Sequence, residues 1–321
     1  MEGVVEELEG RDYRVRNFSR EDIDREEQEL AGTSYEVLDG TSMVVRSKRG
    51  FFPEDRWERG EALRELTELE QHLEPVTGAR ESFLMNDKET DLAQLQEHGV
   101  GTVERYLDEE GVRRAQERGE WVVEKTPEGM GGDGVHIYGP GTEFEYDPDR
   151  IYEECIDHWT AESPWEERRA YGIRVSGEEG FTSKVTGVVE RQLESGKKEP
   201  KNMSGDGRAT VPGEVRETEI ETMHDVLEAT GDSILGVDYL VNQETGEVKV
   251  IERNSNAGWK YSNEALDYDL NREFADVLEQ KIEGEDYEGF SVSSGLEKLI
   301  KEDEGQLEGL ETENSSLTYA A

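Results

Sequence analysis

The chain has 321 residues, 36 basic against 79 acidic, with a formal net charge of −43, and its length suits a large core and two or three subdomains. The acid excess argues against a nucleic acid held through its phosphates and disfavours an anionic membrane surface, both of which need basic patches. With 24 arginines to 12 lysines and carboxylates spread along the whole length, the composition reads as the surface of a protein from a high-salt cytoplasm, where salt screens self-repulsion.

Disorder competes with that reading, because 33% apolar residues and a high net charge fit it too. The regular apolar strands over residues 1–283 argue against it. At the start, MEGVVEELEG lacks the basic and apolar regions of a signal peptide, and no apolar run approaches a membrane span. A soluble, cytoplasmic protein is expected.

Residues 1–85 read as a small α/β unit, with short strands at 35–38 and 42–46. A helix follows at about 53–72, where Leu63, Leu66 and Leu69 recur at helical spacing. Residues 88–99 make a second amphipathic helix, ended by Gly99, with Lys88 in its first turn. The run 119–125 is a strand that enters a loop carrying Gly129, Gly131, Gly132 and Gly134. Glycines let backbone N–H groups converge on phosphate oxygens, and Lys125 before them adds a point charge. The alternative is an ordinary hairpin turn. Residues 151–156 form another strand, which holds the single cysteine, Cys155, so an internal disulfide and a cysteine-based zinc site are excluded. A strand pair is expected at 171–175 and 184–191, and a helix over 214–230 capped by Gly231. The stretch 284–321 mixes Gly, Ser and acidic residues and is expected to be partly disordered.

The segment 234–258 carries the sharpest signal. Apolar runs at 234–241 and 248–251 flank a turn-forming stretch and predict an antiparallel hairpin. If the turn centres on Thr245, Asp238 and Glu252 stand directly opposite, about 5 Å apart at Cβ. Asn254, two residues on, returns to the same face. Two opposed carboxylates repel unless a cation joins them, and oxygen-only ligands favour Mg²⁺ or Mn²⁺ over zinc. The alternative is a polar hairpin on the surface of an acidic protein.

Four stretches, in this order, resemble the ATP-grasp superfamily and within it the RimK-type α-L-glutamate ligases. Asn86-Asp87-Lys88, a helix, then His98-Gly99-Val100 is similar to the segment bearing the family's first ATP lysine. The run 125–135, KTPEGMGGDGV, is similar to its K-x-x-E-G-x-x-G-x-G-V flap. Arg191 with 201–207 resembles its arginine and N-ϕ-x-x-G-G segment, and Gly236-Val237-Asp238 with Glu252-Arg253-Asn254 its metal-holding pair. The resemblance covers about residues 86–283 and, more faintly, the N-terminal unit. In two places the chain departs from the pattern. Ala257-Gly258 stands where Pro-Gly is usual, and Arg168, Arg169 and Arg174 compete for the arginine of the D-x-R strand, with Arg169 preferred.

The resemblance implies an ATP-grasp fold, of α+β and α/β character, in which two α+β subdomains grip ATP. It divides the chain into a small α/β N-terminal domain (1–85), a small subdomain with the flap (86–157), a large subdomain with the metal site (158–283) and an acidic, partly disordered tail (284–321). Lys88 and Lys125 would neutralise phosphates, beneath a flap that includes Glu128, Gly129, Gly132 and Gly134. Glu153, Glu154, Cys155 and Ile156 would form the linker whose backbone hydrogen-bonds adenine. Arg191, Arg169 and Asn202 would stand at the transferred phosphate, and Asp238, Glu252 and Asn254 would hold the metal. The implied activity is ATP-dependent ligation of a carboxylate to an amine through an acyl phosphate, with ATP and Mg²⁺ (or Mn²⁺) as cofactors. Its substrates would be a small-molecule or peptide carboxylate and an amine or amino acid, glutamate by resemblance alone. No nucleic acid or membrane partner is expected, and a homo-oligomer is left open. Two alternatives stand beside it: an ATP-grasp kinase or other phosphoryl-transfer enzyme, and a nucleotide-binding module without catalysis.

Overall fold

The computed structural model describes residues 2–11, 42–44, 74–77, 85, 88–127, 134–158, 160, 162–177, 180–192, 208–231, 233–255, 257–283 and 290–301. The chain begins with α1 (Glu2–Gly10), β1 (Ser42–Val44), β2 (Glu74–Thr77), α2 (Lys88–Glu97), β3 (Arg105–Tyr106), α3 (Glu109–Glu117), β4 (Trp121–Lys125), β5 (His136–Tyr138) and β6 (Ile151–Cys155). It continues with β7 (Trp165–Gly177), β8 (Gly180–Gln192), β9 (Arg208–Thr210), β10 (Val215–Arg216), α4 (Glu217–Glu228), β11 (Ser233–Asn242) and β12 (Val248–Asn254). Last come α5 (Lys260–Ala265), α6 (Leu270–Glu283), β13 (Phe290–Val292), α7 (Ser294–Glu297) and β14 (Ile300–Lys301). The strand expected at 35–38 and the helix at about 53–72 lie outside the described residues.

A four-stranded antiparallel sheet runs in the order β3-β6-β4-β5. One of its faces is covered by α3, whose Val112 and Ala115 pack with Tyr106, Val122 and Tyr152. That helix starts at Asp108, whose carboxylate accepts the Gly111 N–H at 2.7 Å. Alternation along β4 then sends Lys125 to the face opposite α3, where it meets Glu153.

The larger sheet runs β12-β11-β7-β8-β13, with β9 paired to β8; only β13 is parallel to its neighbour. On one face Ala170, Val188, Val237 and Tyr239 pack with Met223 and Leu227 of α4. The opposite face is divided. At one end Tyr171, Ile173, Val189 and Ile234 pack with Leu270, Phe274 and Leu278 of α6. At the other end the same face carries Glu167, Arg169, Arg191, Asp238, Glu252 and Asn254, because residues two apart on a strand point the same way. Each large apolar side chain buried at the first end contributes about 1.5–3 kcal/mol, so that end anchors the polar one.

Several boundaries differ from expectation for visible reasons. Helix α4 begins at Glu217 rather than 214, because Val215 and Arg216 are held extended by pairing with β14, and Glu219 accepts the Arg216 N–H at 2.8 Å. Strands β7 and β8 are longer than expected, joined by a tight reversal between Gly177 and Gly180. Within the stretch expected to be partly disordered, residues 290–301 are folded: β13 adds to the large sheet and Ser293 N–H bonds the Val185 carbonyl at 2.9 Å. Helix α1 packs on α6 through Val4 and Leu8, and Arg11 bonds Asp276 at 2.6 Å and Glu279 at 2.7 Å. The start of the chain thus rests on a helix of the large sheet. Among the described residues no helix is long and apolar enough to cross a membrane.

Candidate active site

The β11–β12 hairpin places Asp238 opposite Glu252 and Gly236 opposite Asn254. Nearer the turn the pairs are Tyr239–Val250, Leu240–Lys249 and Val241–Val248, so the register shifts between Asp238 and Tyr239 and Ile251 is the extra residue of a bulge. Bulge and turn together give the opposition that a turn centred on Thr245 would give alone. Asn254 Nδ2 lies 3.1 Å from Glu252 Oε1 and 3.4 Å from Asp238 Oδ2, so the three side chains meet.

Cations surround them. Arg169 grips Asp238 with two parallel bonds of 2.5 Å, Nε to Oδ1 and Nη2 to Oδ2. Arg191 Nη1 stands 3.3 Å from Asp238 Oδ2 and 2.7 Å from Glu167 Oε1. Lys88 Nζ is 3.9 Å from Glu252 Oε2, and Lys125 Nζ is 2.5 Å from Glu153 Oε2. Burial opposes the charges of Asp238, Lys88 and Lys125, and its balance against their partners differs among the three. It pushes the Asp238 carboxyl up, but Arg169 and Arg191 outweigh it and hold the group at about 2. It pulls Lys88 below its ordinary value, with Lys125 adding to the effect against Glu252. It works the same way on Lys125, yet Glu153 and Glu252 win and raise that ammonium.

Of the three competing arginines, Arg169 touches Asp238. Arg168, one residue away, points to the opposite face, where it bonds both Glu219 oxygens at 2.8 and 2.9 Å. Arg174 lies opposite Ser233 and stacks over Phe181 at 4.1 Å. Gly134 has a φ of +72°, which suits glycine. Glu128, Gly129, Gly132 and Asn202 lie outside the described residues. Glu153 and Glu154 are inside β6: Glu153 pairs with Arg105 and Val123, and Glu154 N–H bonds the Glu104 carbonyl at 2.8 Å. The Glu154 carboxylate binds Lys249 at 2.8 Å, a link from the small sheet to β12. Cys155 is buried opposite Trp121, and the Ile156 carbonyl faces His158 Nδ1 at 3.0 Å.

Four residues that sequence reasoning passed over hold the cluster in place. Arg253 lies between two candidate metal ligands but points to the opposite face, where it is buried and bonds Asp91 Oδ1 (Nε, 2.6 Å), Thr230 and Gln94. That clasp fixes α2 against β12 and so sets Lys88 beside Glu252. Burial raises the Asp91 carboxyl to about 6 despite Arg253. Glu167 joins Arg191 to His158, whose Nε2 is 3.3 Å from Glu167 Oε2. Strand alternation could have assigned the faces of Arg253 and Glu167; nothing local announces Asp91 or His158.

Asp238, Glu252 and Asn254 offer oxygen donors only, since turning the Asn254 amide over exchanges its nitrogen for its oxygen. Cations already surround two carboxylates and an amide, which is the donor chemistry of a hard divalent ion, so the set fits Mg²⁺ or Mn²⁺.

No family model and no curated protein matches this sequence. Solved structures do. The ATP-grasp ligase PsnB complexed with minimal precursor is 15% identical, aligns over 75% of this chain and 78% of its own, and has a TM-score of 0.53. D-cycloserine synthetase DcsG is 13% identical over 78% of this chain and 86% of its own, with a TM-score of 0.53. N5-carboxyaminoimidazole synthetase from Staphylococcus aureus, complexed with ADP, is 15% identical over 71% and 59%, with a TM-score of 0.50. These likenesses show an ATP-grasp fold.

Proposed function

We propose that this chain is an ATP-dependent carboxylate–amine ligase of the RimK-like kind, with Asp238, Glu252 and Asn254 holding Mg²⁺ or Mn²⁺. One observation carries the reading: two carboxylates and an amide from one hairpin converge within hydrogen-bond distance, ringed by Lys88, Arg169 and Arg191 from three other elements. When bound, the metal offsets the charge of the nucleotide's phosphates. Lys88 and Lys125 supply charge for the α- and β-phosphates, and the Gly-rich segment joining β4 to β5 is assigned to the same phosphates by resemblance. Arg191 steadies the γ-phosphoryl group as it passes to the acceptor's carboxylate, and Arg169 orients that carboxylate. The amine then attacks the acyl phosphate carbon, phosphate leaves, and an amide, ADP and phosphate result. Glutamate is proposed as the amino acid added. PsnB and D-cycloserine synthetase DcsG, which share the fold, are named as a ligase and a synthetase.

The test is incubation in high salt with ATP, Mg²⁺ and pooled acids and amines, read by mass spectrometry. A condensed product with ADP is expected. A stable phosphoester would mean a kinase instead, and unconsumed ATP a binding module. Glu252→Gln should lower ATP turnover by about 10²-fold or more while leaving the melting temperature unchanged; full activity in that variant would refute the metal role.

A further inference from the structure

Glu167 is buried on the site face and is bound from two sides. His158 Nδ1 faces the Ile156 carbonyl at 3.0 Å, which turns Nε2 to Glu167 Oε2 at 3.3 Å. The other carboxylate oxygen, Oε1, is left for Arg191 Nη1 at 2.7 Å. The same Nη1 reaches Asp238 Oδ2 at the longer distance of 3.3 Å. Arg191 is thus shared between two carboxylates and lies closer to Glu167.

We propose that Glu167, oriented by His158, is a positioning residue that draws the Arg191 guanidinium off Asp238, so that Asp238 Oδ2, which already accepts from Arg169, keeps its second lone pair open to a cation. Glu167 is held by His158 and bonds Arg191, and it acts through Arg191. Without its charge Arg191 has Asp238 as the nearer anion and closes on it, competing with the metal. Rescue by removal of Arg191 follows from this: a second substitution that deletes the competitor restores metal binding, whereas a general loss of structure would only worsen. The inference rests on the metal reading of Asp238, Glu252 and Asn254.

The experiment is a Mn²⁺ titration of the full chain in high salt, alone and with the β,γ-imido analogue of ATP, following free Mn²⁺ by its electron paramagnetic resonance signal. Glu167→Gln, which keeps the shape and removes the charge, should raise the Mn²⁺ concentration for half-saturation about tenfold, the scale of one charge-assisted hydrogen bond. Glu167→Gln combined with Arg191→Ala should bind Mn²⁺ within about twofold of Arg191→Ala alone, the non-additivity expected of residues acting through one another. Equal affinity in wild type and Glu167→Gln overturns the inference, and so does a penalty that persists without Arg191. Asp238→Asn separates the two levels. If it leaves Mn²⁺ binding unchanged, the metal reading itself has failed; if it abolishes binding while Glu167→Gln does nothing, only the role of Glu167 has failed.

Discussion

His158 shows how much a single side chain's partners determine. The Ile156 carbonyl and the Glu167 carboxylate can only accept hydrogen bonds, so a ring that donates from both nitrogens, the imidazolium, is the form that satisfies them. Burial lowers its pKa, but the bond and charge of Glu167 outweigh this and raise it above the ordinary 6.5. A histidine raised on folding stabilises fully below its unfolded pKa, and the contribution is lost as pH rises through the folded value. The melting temperature of wild type should therefore exceed that of His158→Gln near pH 6, with the gap narrowing by about pH 9. A gap that is constant over that range would show that the ring is not charged in the native state. At this scale the sequence was legible in part. Asp238, Glu252 and Asn254 could be grouped by alternation, as could Arg169 against Arg168. Glu167, which holds His158, and Asp91 and Gln94, which hold Arg253, lie on other elements, and no local pattern encodes such pairings.

At the scale of elements, the hairpin's opposition of Asp238 and Glu252 was readable because turn residues and apolar runs are local. The bulge at Ile251 was not, since it depends on how β11 is also held by β7, where Asp238 pairs with Arg169. The start of α4 was likewise hidden, because the pairing that keeps Val215 extended involves Ile300, far along the chain. Gly236 is the element's other constraint. A Cβ there would lie 2.4 Å from Ala257 Cβ, in the segment after the hairpin where Ala257-Gly258 departs from the family pattern. Gly236→Ala should therefore push residues 257–258 outward and destabilise by about 1–3 kcal/mol, the usual range for overpacking. Ala257→Gly in the same chain should restore most of the loss, because it removes the atom that is struck. Chemical denaturation of the two variants checks this; if the double variant is no more stable than Gly236→Ala, the contact is not the cause. Tyr171 hydroxyl, which donates to the Gly258 carbonyl at 3.1 Å, ties the same segment to β7 and gives the displacement a route to Arg169 two residues away.

At the scale of the whole molecule, the large sheet gathers distant pieces of chain. Helix α1 caps α6 at one end of the sequence, while β13 extends the sheet at the other. Composition pointed the other way for residues 290–301, because over the whole stretch 284–321 Gly, Ser and acidic residues outnumber the apolar ones that do the packing. The net charge of −43 bears on all of these contacts together. Favourable pairs such as Arg168–Glu219 at 2.8 Å are buried, and salt screens them little. Exposed pairs such as Arg113–Glu109 contribute little at any ionic strength. The long-range repulsion among surface carboxylates is what salt removes, as the screening length falls from about 10 Å at 0.1 M to about 3 Å at 1 M. Raising KCl from about 0.1 M to about 1 M should therefore raise the melting temperature by several degrees, since each 1 kcal/mol shifts a domain of this size by roughly 2–4 °C. Sucrose, which carries no charge, separates screening from general exclusion: it should give a shallow, linear rise, while KCl should act most steeply at the low end, where the screening length changes fastest. A melting temperature that stays flat or falls with KCl would mean that the paired charges, and not the excess acids, dominate the molecule's electrostatics.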